Sequence, residues 1–121
     1  MAKKILIIDD EVHIINYLKH VFEDNGYQTV TAADGEEGYA ALTRERPDLI
    51  TLDLQMPKEG GTKFFQKYRK NEECKHTPII VITGQDSPHR SLKPEKVVAI
   101  LEKPFEPEDL LKLVRQAIGE A

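Results

Sequence analysis

Five short runs of β-branched and aliphatic residues recur along the chain, at Lys4 to Ile8, Tyr27 to Ala32, Leu49 to Leu52, Pro78 to Thr83 and Val97 to Leu101. Such runs have the length of buried strands and are too short for buried helices. Between them the apolar residues fall at the three-and-four spacing of helices. The first helix sets Val12, Ile15, Leu18 and Phe22 on one buried face, with Ile14 and Val21 beside them, and Gly26 supplies the stop. Asp34 caps a second helix while Glu37 reaches back, and Tyr39, Ala41 and Leu42 follow until Pro47 forbids continuation. A third helix starts near Thr62, after Gly60-Gly61, and turns Phe64, Phe65 and Tyr68 inward. The last begins at Pro107 among Glu106, Glu108 and Asp109, builds a stripe of Leu110, Leu111, Val114 and Ile118, and ends before Gly119. Pro88 and Pro94 cut the stretch from Gly84 to Lys96, which leaves room for only a turn or two of a fourth helix.

Strict alternation of strand and helix gives right-handed parallel crossovers, and continuously apolar strands are covered on both faces. The fold class is therefore α/β: a doubly wound, five-stranded parallel sheet with helices on both faces. For five strands the expected order is 2-1-3-4-5, the flavodoxin-like arrangement, with ligands at the carboxyl edge between strands one and three.

Composition narrows the class of function. The 121 residues carry 17 Lys plus Arg against 21 Asp plus Glu, a net charge of -4, with no basic cluster of the kind a nucleic-acid face needs. Cys74 has no second cysteine to pair with. The apolar runs are far short of the ~20 residues that span a membrane, and Lys3-Lys4 leads into four apolar residues and then acids, unlike a secretory signal. The expectation is one cytoplasmic domain over residues 1–121, without direct contact to nucleic acid or membrane.

The chemistry gathers at the strand ends. Asp9 and Asp10 end strand one, Asp53 ends strand three, Thr83 ends strand four and Lys103 follows strand five. In the order 2-1-3-4-5 these strands are neighbours, so three carboxylates, a hydroxyl and an ammonium meet at the switch point. Singly, each residue is ordinary: Asp after a strand caps or turns, Thr suits a strand and Lys is a solvated charge. Together they are not, because crowded carboxylates repel unless a cation or proton intervenes, and an all-oxygen cluster suits a hard divalent ion such as Mg²⁺ (or Mn²⁺). With no Ser or Cys at the centre, a carboxylate is the available nucleophile and an acyl phosphate its product. The chain has no G-x-x-x-x-G-K-[ST], no G-x-G-x-x-G and no G-x-S-x-G. Cys74 and His76 are too few for a metal pair and read as loop residues, and His13 and His20 as solvated positions of the first helix.

The segments Ile5-Leu-Ile-Ile-Asp-Asp-Glu11, Asp48-Leu-Ile-Thr-Leu-Asp-Leu-Gln-Met-Pro57 with Gly60-Gly61, Pro78-Ile-Ile-Val-Ile-Thr-Gly84 and Leu101-Glu-Lys-Pro-Phe105 resemble the receiver domain of bacterial two-component response regulators in its single-domain, chemotaxis-type form. The resemblance spans essentially the whole chain. It implies that Asp53 accepts a phosphoryl group from a histidine kinase or histidine phosphotransfer protein, and that Lys103 and Thr83 bind that group. It also implies that Asp10, Asp53 and the backbone carbonyl of Gln55 hold Mg²⁺, with Asp9 acting through water, and that the Lys103–Pro104 peptide bond is cis. In similar domains the fourth helix, fifth strand and fifth helix form the output face, which meets a downstream protein or a second copy. Two departures fall on that face: Ile100 replaces a common aromatic, and Pro94 interrupts the fourth helical segment. They keep open a receiver that works by protein contact without switching. A haloacid-dehalogenase-type phosphohydrolase is the remaining alternative, weakened by Gln55 where such enzymes carry a second Asp.

Overall fold

The apolar runs become strands with both faces covered wherever two neighbours flank them. The computed structural model describes residues 2–53, 61–84 and 97–121. In chain order the elements are β1 (Lys4–Ile8), α1 (Val12–Asp24), β2 (Gln28–Ala32), α2 (Gly35–Glu45), β3 (Leu49–Asp53), α3 (Gly61–Lys70), β4 (Ile79–Thr83), β5 (Val97–Glu102) and α4 (Pro107–Ile118). All pairings are parallel and the sheet order is β2-β1-β3-β4-β5, as the alternation predicts. Every residue of β3 and β4 is buried, while the edge strands β2 and β5 are only partly covered.

Alternation along the strands feeds two cores. Leu6, Ile8, Ile50, Leu52, Ile79 and Val81 pack with Ala41, Leu42, Phe64, Phe65 and Tyr68 of α2 and α3. Ile5, Ile7, Leu49, Ile80 and Ile82 pack with Leu18, Phe22, Leu110, Leu111 and Val114 of α1 and α4. A register shift between Ile79 and Ile80 leaves Val98 as the extra residue of β5, half exposed on the outer edge. α2 lies close on β1 through Gly38, where an added Cβ would come within 2.7 Å of Ile8 Cδ1.

Local chemistry sets the helix ends. Asp34 Oδ1 accepts from the Glu37 backbone N–H at 2.7 Å, the expected cap. Gly26 follows α1 at φ 91, a conformation other residues rarely adopt. One expectation needs correction. Val12 is 66% exposed instead of buried, because it opens α1 beyond the end of β1 with no sheet beneath it; Leu18 and Phe22 carry the inward face. Cys74 lies in the turns after α3, as expected of a loop residue, and those turns tuck it into the core beside Tyr68. The fourth helical segment, from Gln85 to Lys96, lies outside the described residues. Among those described, no helix is long and apolar enough to cross a membrane.

Candidate functional site

The carboxyl ends of β1 and β3 deliver Asp9 and Asp53, respectively 2% and 3% exposed, while Asp10, one residue further along, reaches solvent. Carboxylate oxygens of all three lie within 4.8 Å of one another. Beyond β5 the chain turns through a cis Lys103–Pro104 bond, as expected, and the Lys103 N–H donates to the Thr83 carbonyl at 2.8 Å. Lys103 Nζ then stands 3.3 Å from Asp9 Oδ2 and 3.6 Å from Asp53 Oδ2. Residues 94 positions apart in sequence thus form one ionic cluster.

Electrostatics within the cluster are unequal. Burial pushes the Asp9 carboxyl up to about 6; the Glu11 N–H, donated to Asp9 Oδ1 at 2.9 Å, opposes this, the Asp53 charge adds to it and Lys103 opposes it. Burial alone would pull the Lys103 ammonium down, but Asp53 and then Asp9 outweigh it and raise it. Asp9 is therefore engaged at both oxygens, whereas Asp10 faces water. Thr83 ends β4, one position beyond Ile82, the register partner of Asp53. Its side chain is buried and its hydroxyl has no hydrogen-bond partner among the described residues. Gln55 lies outside the described residues, so the structure brings together Asp9, Asp10, Asp53 and Lys103 with Thr83 beside them.

The pattern of sequence did not point to an apolar groove of about 400 Å³ lined by Ile14, Tyr17, Lys103, Pro104 and Phe105. The rings of Tyr17 and Phe105 in its lining stand 6.3 Å apart, tilted at 59°. Tyr17, an aromatic on the solvent side of α1, and the Pro-Phe pair after the lysine were its only advance signals.

Comparison with known proteins agrees with this geometry. The family model for the response regulator receiver domain matches residues 5–115. Sporulation initiation phosphotransferase F of Bacillus subtilis is 31% identical, over 96% of this chain and 94% of its own. Alkaline phosphatase synthesis transcriptional regulatory protein PhoP of the same organism is 35% identical over 91% of this chain, which spans 46% of that protein's length. Among solved structures, chemotaxis protein CheY4 of Vibrio cholerae superposes with a TM-score of 0.88 at 34% identity, over 97% of this chain and 99% of that one. With nearly its full length matched and the strand-end carboxylates in place, this chain belongs to the response regulator receiver domain family of two-component systems.

Proposed function

We propose that this chain, one cytoplasmic receiver domain over residues 1–121, is a phosphorylation-dependent switch of a phosphorelay. The observation that carries this reading is the Lys103 ammonium, within 3.6 Å of two buried carboxylates at the sheet's switch point. An Asp53 oxygen attacks the phosphorus of a phosphohistidine on a histidine kinase or phosphotransfer protein, and the bond to the imidazole nitrogen breaks. Lys103 takes one phosphoryl oxygen, and the Thr83 hydroxyl, without a partner among the described residues, donates to another, which relieves a buried donor. The donor must present its phosphohistidine over Lys103, so its surface meets the groove of Tyr17 and Phe105 and the exposed Val12.

The donor set also fits a hard divalent cation, because three carboxylates gather there and, among the described residues, one ammonium pairs with only Asp9 and Asp53. Asp10 and Asp53 would hold Mg²⁺ or Mn²⁺ directly with the Gln55 carbonyl, and Asp9, already bonded at both oxygens, through water. When bound, the ion neutralises charge on the incoming phosphoryl group. The new charge on Asp53 favours whichever state bonds it better, and the face that includes β5 and α4 carries that state to a downstream protein or a second copy.

Incubation with acetyl phosphate and Mg²⁺ should add one phosphoryl group by intact mass, and Asp53→Asn should abolish it. Chelation of Mg²⁺ should block it too. Label on Asp53→Asn, or in chelator, would overturn the assignment.

A further inference from the structure

Thr51, in the middle of β3, is the polar residue of the core that phosphoryl transfer leaves unused. It is 1% exposed, and its hydroxyl has no hydrogen-bond partner among the described residues. Its register neighbours are Ile7 on β1 and Ile80 on β4, and with Leu49 these belong to the apolar core under α1 and α4. Valine has the same shape without a polar group to desolvate, so an idle hydroxyl here is the less stable choice.

Its place in the pleat gives it something to reach. Side chains two apart on a strand share a face, so Thr51 lies directly behind Asp53, and Ile7 directly behind Asp9. The acceptors next along that face are the two buried carboxylates, and a carboxylate oxygen can accept more than one hydrogen bond. Two residues of parallel strand set the Cα atoms about 6.6 Å apart, and the Thr51 hydroxyl makes no direct bond to a described residue, so a link to Asp53 takes two bonds joined by a water.

We infer that Thr51 is a positioning residue for Asp53: its hydroxyl donates through one buried water to the Asp53 carboxylate and steadies it from behind. The link itself is structural, while its kinetic effect rests on the proposed role of Asp53 as phosphoacceptor. Fixing the inner oxygen aims the outer one at the donor. The loss of one such bond is worth about fivefold in an equilibrium or a rate.

The test is a double-mutant cycle by denaturant unfolding of the metal-free protein at neutral pH, together with acetyl phosphate labelling. Thr51→Val should lower the folding equilibrium constant about fivefold when Asp53 is present and should not lower it in the Asp53→Ala background. The same response in both backgrounds overturns the link. Thr51→Val should also label about fivefold more slowly, and Thr51→Ser, which keeps the hydroxyl and loses a methyl, should return to the parent rate. A purely structural Thr51 gives the opposite pattern, with Ser the less stable variant and both labelling at the parent rate, and that result overturns the positioning role. A parent that takes no label would refute Asp53 as acceptor, while the cycle, needing neither donor nor metal, still decides whether Thr51 and Asp53 are coupled.

Discussion

The two ends of the sheet are built on opposite electrostatic terms. At the carboxyl end, Asp9 and Asp53 are buried around the Lys103 ammonium, and the Thr83 hydroxyl has no partner among the described residues. At the amino end, polar groups close the chain on itself. Lys3 Nζ donates to the Ile118 carbonyl at the end of α4, and the Tyr27 hydroxyl donates to the Gly119 carbonyl at 2.8 Å. Lys4 and Asp48 exchange two bonds of 2.8 Å, one from the Lys4 N–H to the Asp48 carboxylate and one from the Asp48 N–H to the Lys4 carbonyl. The contrast teaches where the fold is held and where it is poised: satisfied groups at one end hold a charge cluster at the other that only a cation, a proton or a phosphoryl group can complete.

The sharpest way to break this comparison is to remove the cation that Asp9 and Asp53 share. Lys103→Met takes the ammonium away from two buried carboxylates, and breaking a buried ion pair typically costs about 3 to 5 kcal/mol. Lys103 is 20% exposed and Asp9 can take up a proton, so the expected loss at neutral pH in the metal-free protein is about 2 to 3 kcal/mol. Urea denaturation should show that loss shrinking as the medium is acidified. An unchanged midpoint at neutral pH would mean that the ammonium does not hold the cluster.

Next in size is the proton on Asp9. Its carboxyl titrates at about 6 in the fold against an ordinary 3.8, so folding favours the protonated form. Its contribution is therefore complete below about pH 4 and lost as the pH rises through about 6, a span of about 3 kcal/mol for a side chain shielded from solvent. Asp9→Asn should be the more stable metal-free protein at neutral pH, by about 2 to 3 kcal/mol, with the advantage vanishing towards pH 4. Parallel stability curves for parent and variant would show that Asp9 holds no such penalty. The metal distinguishes the same residue from its neighbour: Asp10→Ala should weaken Mg²⁺ about tenfold more than Asp9→Ala in calorimetric titration. The reverse order would exchange their direct and water-mediated roles.

Much of this poised end was legible in advance because it follows from topology. The order 2-1-3-4-5 makes neighbours of the strands that end in Asp9, Asp53 and Thr83 and of the turn that carries Lys103, and short apolar runs with helical spacing between them suffice to predict that order. The inward faces of α3 and α4 were equally readable from Phe64, Phe65 and Tyr68 and from Leu110, Leu111 and Val114. Depth was not. Val12 has the right spacing for a core position but stands past the last residue of β1, and Cys74 has a loop's neighbours but a core's burial. Thr51 looked like any β-branched strand residue, since whether its hydroxyl finds a partner depends on strands far away in sequence. Ile100 pairs with Val81 and packs, half buried, against the core of α2 and α3, so it serves as an aliphatic member of that layer.

The smallest expected effect lies at the satisfied end, and it sharpens the comparison by what it leaves untouched. Tyr27 is 3% exposed, its ring meets Phe22 edge-on at 6.3 Å, and its hydroxyl ties Gly119 to the start of β2. Tyr27→Phe keeps the ring packing and removes one hydrogen bond, so the protein should lose about 1 kcal/mol in urea denaturation. Burial, reinforced by Glu120, raises the phenol above its ordinary range, so the loss should be the same across the acid-to-neutral interval in which Asp9 titrates. The rate of labelling by acetyl phosphate should match the parent, because no part of the bond reaches the cluster of Asp9, Asp53 and Lys103. A slower rate in Tyr27→Phe would mean that α4, whose far end this bond secures, transmits its position to Lys103, and the two ends of the sheet would then have to be treated as one coupled system.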